Sequence, residues 1–139
     1  MRQARSNLTV RTRGRGLIDC TTAVARWLSE EQARDGLLTV FCTHTSASLL
    51  VQENAAPEVR SDLLAFFERI APEDPTRYQH SDEGPDDMPA HLRAALTQVS
   101  IAVPVSQGRM VLGTWQALYL FEHRSRAHER TLVLHFIGE

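Results

Sequence analysis

Hydrophobic positions follow helical spacing in two segments of the chain and strand-like spacing in most of the rest. Residues 57–70 give the clearer helix, because Pro57 suits a first turn and the apolar residues form one stripe, made of Val59, Leu63, Phe66, Phe67 and Ile70. Residues 21–34 repeat apolar positions at the same spacing and are followed by Gly36, a stop signal. A short third helix is predicted over residues 90–96.

Strand signals occupy most of the remaining sequence. Short apolar runs separated by turn residues predict strands at residues 8–13, 37–42, 48–52, 99–105, 110–112, 115–121 and 131–137. Residues 71–89 show no apolar period, and a loop of that length in a compact domain is usually functional or disordered. The order of elements predicts a single α+β domain over residues 1–139, with a largely antiparallel β-sheet or sandwich and two main helices.

Composition narrows the classes of protein to which the chain can belong. The 139 residues are 42% hydrophobic and 23% charged, which is ordinary for a soluble globular domain. The formal net charge of -2 gives no support for a nucleic-acid partner. No apolar run approaches the roughly 20 residues that span a bilayer, and no signal peptide is evident. We therefore expect a cytoplasmic protein without a membrane partner. Cys20 and Cys42 show no CxxC spacing, so a thiolate zinc site is not indicated.

Residues 80–91 form the segment with the most candidate chemistry. This segment combines two histidines, His80 and His91, with four carboxylates, those of Asp82, Glu83, Asp86 and Asp87. Imidazole and carboxylate groups together are what a divalent metal site or an acid–base centre requires. The acids have three possible roles: orienting the histidines, binding a hard cation through oxygen, or capping the helix that follows.

A second polar segment follows the predicted strand at residues 37–42. His44 continues the buried face of that strand, which suits either a hydrogen-bonded structural histidine or a ligand. If His44 meets His80 and His91, three imidazoles with one open coordination position make a catalytic zinc-type site. Thr45 and Ser46 lie in a hydroxyl-rich turn whose backbone amides could hold an anion.

Three more candidates lie near strand ends. Glu53 suits either a helix-entry cap or a site residue. Gln116 and Arg124 belong to the C-terminal sheet, and Arg124 could bind a phosphate bidentately. Charges at a strand end, such as those of Glu122 and Arg124, are however usually solvated.

Four motifs occur in a fixed order along the chain. They are His44-Thr45-Ser46-Ala47-Ser48, Glu53-Asn54, Asp86-Asp87-Met88-Pro89-Ala90-His91 and Gly113-Thr114-Trp115-Gln116. Together they resemble the YjbQ family of small proteins, from about Leu8 to the closing Gly138-Glu139. Gln98 departs from the family, which commonly has glycine there, and this affects a turn rather than a site residue.

The resemblance implies an α+β fold assembled as a homotrimer, with clefts near the subunit boundaries. It also implies a metal-binding histidine cluster, carried here by His44, His80 and His91. Members of the family are commonly described as having a secondary thiamine-phosphate synthase activity. That reaction joins a pyrimidine methyl diphosphate to a thiazole phosphate and releases pyrophosphate.

The leading hypothesis is a metal-dependent enzyme of this synthase type, with a phosphate-bearing small molecule as substrate. Zinc is the expected metal, with magnesium as the alternative. The hypothesis assigns catalysis to the acids Glu53, Glu83, Asp86 and Asp87, and substrate binding to Thr45, Ser46, Gln116 and Arg124. Two alternatives stay open. One is a metal-dependent hydrolase of phosphate or carboxylic esters with Glu83 or Glu53 as base, since three imidazoles favour water activation. The other is a non-enzymatic trimer that binds a small anion.

Overall fold

Two antiparallel sheets and three α-helices make up the fold, which confirms the predicted α+β class. The computed structural model describes all residues from 1 to 139. The elements are β1 (Arg2–Arg11), β2 (Gly16–Asp19), α1 (Thr21–Glu30), β3 (Gly36–Cys42), β4 (Ala47–Glu53), α2 (Pro57–Ile70), α3 (Asp87–Leu96), β5 (Ser100–Ser106), β6 (Arg109–Met110), β7 (Gln116–Glu122) and β8 (Glu129–Gly138). The larger sheet has the order β1-β8-β3-β5-β6, and the smaller one has the order β2-β7-β4.

The hydrophobic core joins the two sheets and α1. In the large sheet, Leu38 pairs with Phe136 and Val40 pairs with Leu134, and all four side chains are buried. Their alternation with outward-facing residues is the period of two that the sequence shows in β3 and β8. The same cluster includes residues of the small sheet and of α1, namely Val24, Trp27, Leu28, Leu49, Leu118 and Leu120.

The N-terminal region differs most from the sequence prediction. β1 begins at Arg2 rather than at residue 8, because it pairs with β8 along its whole length, from Arg2 opposite Gly138 to Arg11 opposite Glu129. The first residues of this edge strand are mostly polar, so they show no apolar period. The strand forms through backbone hydrogen bonds to β8, which sequence spacing does not reveal. β2 was not predicted, since its four residues are too short to show a period. α1 ends at Glu30 rather than at residue 34, and Gln32 follows with a positive φ of 55°.

α2 has the predicted bounds, but its apolar stripe is only partly buried. Phe67 is its one buried residue, and the Phe67 ring packs edge-on against Phe121 of β7 with ring centroids 5.3 Å apart. Phe66 and Ile70 remain 45% and 43% exposed. The predicted stripe therefore meets the small sheet along one edge. None of the three helices is long and apolar enough to cross a membrane.

α3 begins at Asp87, three residues earlier than predicted. The preceding loop contains a short 3-10 turn at Pro75–Arg77, where the side chain of Asp74 accepts a hydrogen bond from the Thr76 amide at 3.1 Å. Because the helix includes Asp87, this residue and His91 lie four positions apart and share one face of α3. That placement creates the candidate site.

Candidate metal centre

Two histidines converge on one buried carboxylate. Oδ2 of Asp87 lies 2.8 Å from Nε2 of His80 and 3.1 Å from Nε2 of His91. The two imidazole rings meet edge to face with centroids 5.7 Å apart. The three ligand atoms all lie within 4.8 Å of one another. Asp87 is 2% exposed at its side chain, whereas His80 and His91 are 40% and 34% exposed, so the group opens to solvent on its histidine side.

Arg124 fixes the carboxylates at the start of α3. Its Nη1 donates to Oδ1 of Asp87 at 2.8 Å, and its Nε donates to Oδ2 of Asp86 at 3.0 Å. Asp86 also accepts hydrogen bonds from the amide and the hydroxyl of Ser125, at 2.9 and 3.1 Å. Burial opposes ionisation of Asp86, but the bonds from Arg124 and Ser125 outweigh it and hold the pKa of that carboxyl below its ordinary value. Asp86 is therefore a fixed anion that orients Arg124.

The donor set fits a divalent metal. Two imidazole nitrogens and one carboxylate oxygen form a set typical of catalytic zinc sites, which leave a further coordination position for water or substrate. Asp87 also has a supporting partner in Arg124, as metal-binding carboxylates commonly do. The exposure of both histidines would allow an ion to enter from solvent.

His44 does not join this group, in contrast to the predicted three-histidine set. Its Nε2 accepts a hydrogen bond from the Thr131 amide at 2.8 Å, so the neutral ring carries its proton on Nδ1 and has no free lone pair in this arrangement. Burial, with help from the charge of Arg130, lowers the pKa of His44 and favours this neutral form. Asp87 takes the third place instead. His44, Thr45 and His91 nevertheless line one shallow pocket of about 610 Å³.

Glu53 and Gln116 lie far from the histidines. They pair with each other at one end of the β4–β7 ladder, whereas Ala47 and Glu122 pair at the other end, close in sequence to Arg124. Six residue steps along a strand correspond to about 20 Å. Within one chain, the structure thus separates Glu53 and Gln116 from the metal group. Gln116 accepts a hydrogen bond from the Gly113 amide at 2.8 Å and so stabilises the Gly113-Gln116 turn.

The remaining predicted residues have mixed placements. Glu83 is exposed, and its carboxylate lies 3.9 Å from Nη1 of Arg124. Thr45 is exposed in the pocket beside His91, while the Ser46 hydroxyl accepts from Arg130 at 3.1 Å. Arg124 donates hydrogen bonds to the carboxylates of Asp86 and Asp87 and to the Glu83 carbonyl. These contacts favour a role in positioning the two carboxylates over the predicted contact with a substrate phosphate.

Glu122 is buried, so the expectation that its charge at the strand end is solvated was wrong. It is completely buried and accepts hydrogen bonds from Thr12 Oγ1 at 2.7 Å and from Arg130 Nε at 2.8 Å. Burial opposes its ionisation, but the bonds from Arg130 and Thr12 lower the pKa of Glu122 overall. The partners come from the ends of β1 and β8, so the network depends on sheet pairing that sequence spacing does not show.

The sequence also did not predict a second buried network, which joins His123, Ser48 and Thr97. Nε2 of His123 lies 2.8 Å from the hydroxyl of Ser48, which lies 2.6 Å from Thr97 Oγ1. Burial, reinforced by the charge of Arg93, lowers the pKa of His123 to about 3. The serine and the histidine are both fully buried, so this pair is structural and offers no nucleophile to a substrate.

Proteins of one family are similar to this chain over nearly its whole length. A family model described as "UPF0047 protein YjbQ-like" matches residues 6–139. The UPF0047 protein sll1880 of Synechocystis is 47% identical over 138 residues, covering 99% of this chain and 94% of that protein. The UPF0047 protein YjbQ of Escherichia coli O157:H7 is 38% identical over 133 residues, covering 95% of this chain and 96% of that protein.

Solved structures share the fold as well. The conserved hypothetical protein TT1486 from Thermus thermophilus aligns with a TM-score of 0.86 at 31% identity, covering 95% of this chain and 99% of that one. The hypothetical protein APE1520 from Aeropyrum pernix aligns with a TM-score of 0.86 at 33% identity, covering 98% and 99% of the two chains. The two-sheet architecture described above is therefore similar to that of experimentally solved proteins.

Proposed function

This chain belongs to the UPF0047 protein YjbQ-like family, and on that premise we propose that it is a metal-dependent enzyme with His80, Asp87 and His91 as metal ligands. The convergence of two imidazoles on one buried carboxylate is the observation that carries the proposal. Zinc suits this mixed nitrogen and oxygen set, whereas Mg²⁺ prefers oxygen ligands alone and is the second choice. A cytoplasmic location is part of the same proposal.

The residues around the ligands have separate tasks. A bound divalent cation would supply Lewis-acid stabilisation of a departing phosphoryl oxygen. Arg124 holds Oδ1 of Asp87, so that Oδ2 stays turned towards the two imidazoles. Asp86 holds Arg124 in turn. Glu83 is the exposed carboxylate beside this group and is our candidate for proton transfer.

The proposed substrate is a phosphate-bearing small molecule, and the proposed reaction is that of a secondary thiamine-phosphate synthase. A pyrimidine methyl diphosphate would lose pyrophosphate as its methylene carbon forms a bond to the ring nitrogen of a thiazole phosphate. The pocket shared by Thr45, His44 and His91 adjoins the ligand group and offers hydroxyl and imidazole donors to such a substrate. The family resemblance supports this choice of reaction.

Ester hydrolysis is the second candidate. It is favoured by the observed donor set, because two histidines with one carboxylate are typical of zinc hydrolases that activate a bound water. In that case Glu83 would accept the proton of the attacking water, since it is the exposed acid beside Arg124.

The decisive experiment combines metal analysis with turnover. We expect about one zinc per chain in tag-free protein and loss of that zinc in His91→Ala, while Asp82→Asn, a change at an exposed acid of the same loop, retains it. The same preparations are assayed for thiamine phosphate formation and for hydrolysis of a panel of phosphate and carboxylic esters. Product in the first assay alone supports the synthase, and product in the second alone supports the hydrolase. Full zinc in His91→Ala would rule out the proposed ligand set.

We also propose that the chain assembles as a homotrimer. The outer face of β3 and β8 carries Leu37, Phe41 and Ile137, which are 46%, 43% and 38% exposed. Phe41 borders the pocket that contains His44 and His91. Burial of this face against another copy would remove apolar surface from water and close the pocket at a subunit boundary.

A further inference from the structure

Three arginines line a cavity on the side of α3 that faces away from the metal group. The cavity has a volume of about 440 Å³, and its lining includes Arg13, Arg15 and Arg93 together with Gly14, Leu64, Glu68 and Ser125. Arg93 follows His91 by two residues, which corresponds to a rotation of about 200° around the helix. His91 and the arginine cavity are thus on opposite faces of α3.

Arg93 is a buried cation without a carboxylate partner. Only 1% of the residue is exposed, and the only hydrogen bond of its guanidinium runs from Nη2 to the Ala71 carbonyl at 3.1 Å. Its Nε is sealed from solvent and has no partner. Nη1 has no protein partner either, and Arg93 lines the cavity. An unpaired buried charge is costly, and proteins normally compensate for it.

The surroundings compensate for this charge only in part. Ala71 is the C-cap that follows α2, so its carbonyl lies at the partial negative charge of a helix C-terminus. Glu68 lines the cavity, and its charge opposes the lowering of the Arg93 pKa without a direct hydrogen bond between the two side chains. Arg15 adds positive charge nearby and is itself paired with Glu73. Burial together with the charge of Arg15 lowers the pKa of Arg93, as expected where two cations face one cavity.

We propose that this cavity is a binding site for a small phosphate-type oxyanion, with Arg93 as its buried anchor and Arg13 and Arg15 at its mouth. Guanidinium groups match the geometry of phosphate oxygens through paired N–H donors, and Nη1 of Arg93 is a donor that lacks a partner. The ligand is either free phosphate or the phosphate group of a monoester. The proposal does not depend on the metal chemistry, because no lining residue hydrogen-bonds to His80, Asp87 or His91. Ser125 is linked to Asp87 only through Asp86 and Arg124.

Titration calorimetry with inorganic phosphate tests the site in the presence of a chelator. Arg15→Gln removes a half-buried cation at the mouth and should weaken phosphate binding by about tenfold or more. Glu73→Gln releases Arg15 from its ion pair and removes a competing carboxylate, so it should strengthen binding several-fold. Arg109→Gln is the matched control, an exposed arginine of β6 outside the cavity, and should stay within about twofold of the unaltered protein. Arg93 stays unaltered, since a change inside the core would confuse binding with folding.

The outcomes separate this site from the metal centre. Weaker binding in Arg15→Gln with stronger binding in Glu73→Gln supports it, and a misfolded variant would not produce the second effect. Absence of phosphate binding in the unaltered protein, or equal affinity in Arg15→Gln and Arg109→Gln, overturns it. Binding that is lost in His91→Ala but kept in Arg15→Gln also overturns it, because the anion would then belong to the metal centre. Repeating the titration with glycerol phosphate distinguishes a site for monoesters from one for free phosphate.

Discussion

Asp87 serves two groups through the two oxygens of one carboxylate. Oδ1 accepts from Arg124, and Oδ2 faces His80 and His91, so an ion pair and the candidate ligand set share this residue. The sequence predicts that residues 80–91 hold the candidate site, because they combine two histidines with four carboxylates. The sequence does not show that Asp87 is the acid between the two histidines, because the orientation of Asp87 depends on Arg124, which lies 37 residues away in sequence.

His44 has a hydrogen-bond partner that its sequence position does not predict. The parity of its strand places it correctly at the end of a buried face, and the structure leaves it half-buried. Its hydrogen bond to the Thr131 amide spans 87 residues and follows from the pairing of β3 with β8. Spacing within a segment could therefore locate His44 on its strand, but not choose between a metal and a backbone amide as its partner.

His123 supplies a pH-dependent prediction. Burial, followed by the charge of Arg93, lowers its folded-state pKa to about 3, whereas the unfolded-state value is 6.5. Below pH 6.5 the unfolded chain binds a proton that the folded chain excludes, so stability is full above pH 6.5 and is lost as the pH falls towards 3. The free energy of unfolding should fall by about 1.4 kcal/mol for each pH unit below 6.5 because of this group. Urea unfolding between about pH 7 and about pH 5 measures the slope.

Two variants identify the group responsible. His123→Gln should remove most of this slope, whatever its effect on stability at neutral pH. His135→Gln changes a half-buried histidine of β8 that bonds to the Gln3 side chain, and it should keep the slope of the unaltered protein. Equal slopes in all three proteins would show that His123 is not the group that titrates.

Helices and strands were predicted correctly where the hydrophobic period repeats several times. α2 and β3 follow their patterns within one residue, because fourteen helical and seven strand residues repeat the spacing several times. β2 has four residues, and the start of α3 is hidden by Pro89, which is tolerated in a first turn. The early start of α3 matters most, since it brings Asp87 onto the face of His91.

Gly36 marks a close approach between elements. It opens β3 opposite Gly138 of β8, and a Cβ at position 36 would lie 2.2 Å from the Ile137 carbonyl oxygen and 2.8 Å from the Gly138 Cα. Both are backbone atoms and cannot turn away. Gly36→Ala should therefore destabilise the fold by about 3 kcal/mol, the upper end of typical overpacking costs. Thermal or urea unfolding checks this value.

The matched control for that change is Gly113→Ala. A Cβ there would meet the Gln116 Oε1 at 3.2 Å, and a side-chain end can shift by a few tenths of an ångström. We expect a change within about 0.5 kcal/mol of the unaltered protein. If both alanine variants were equally stable, the close contact between β3 and β8 would not limit the packing of the large sheet.

The exposed apolar residues of β3 and β8 form the surface through which we propose that the trimer assembles. Each chain has a mass of 15.6 kDa, so light scattering should give about three times this mass for the proposed trimer. Phe41→Asp places a charge on the outer face of β3 and should reduce the mass to that of one chain, because burying an unpaired carboxylate is costly. Ala25→Asp adds the same charge on the exposed side of α1 and should leave the trimer intact. A single-chain mass for the unaltered protein would disprove the trimer.

The same variant separates metal binding from catalysis. His80, Asp87 and His91 lie within one chain, so a monomeric Phe41→Asp should still bind about one zinc. Phe41 borders the pocket beside His91, and a pocket that needs a second subunit for its closure should lose turnover in the monomer. Because Phe41 itself lines the pocket, Leu37→Asp tests the same outer face from outside the pocket. Retained zinc with turnover lost in both monomeric variants indicates a substrate pocket completed across a subunit boundary. Loss of zinc together with turnover would instead show that the ligand set itself depends on assembly.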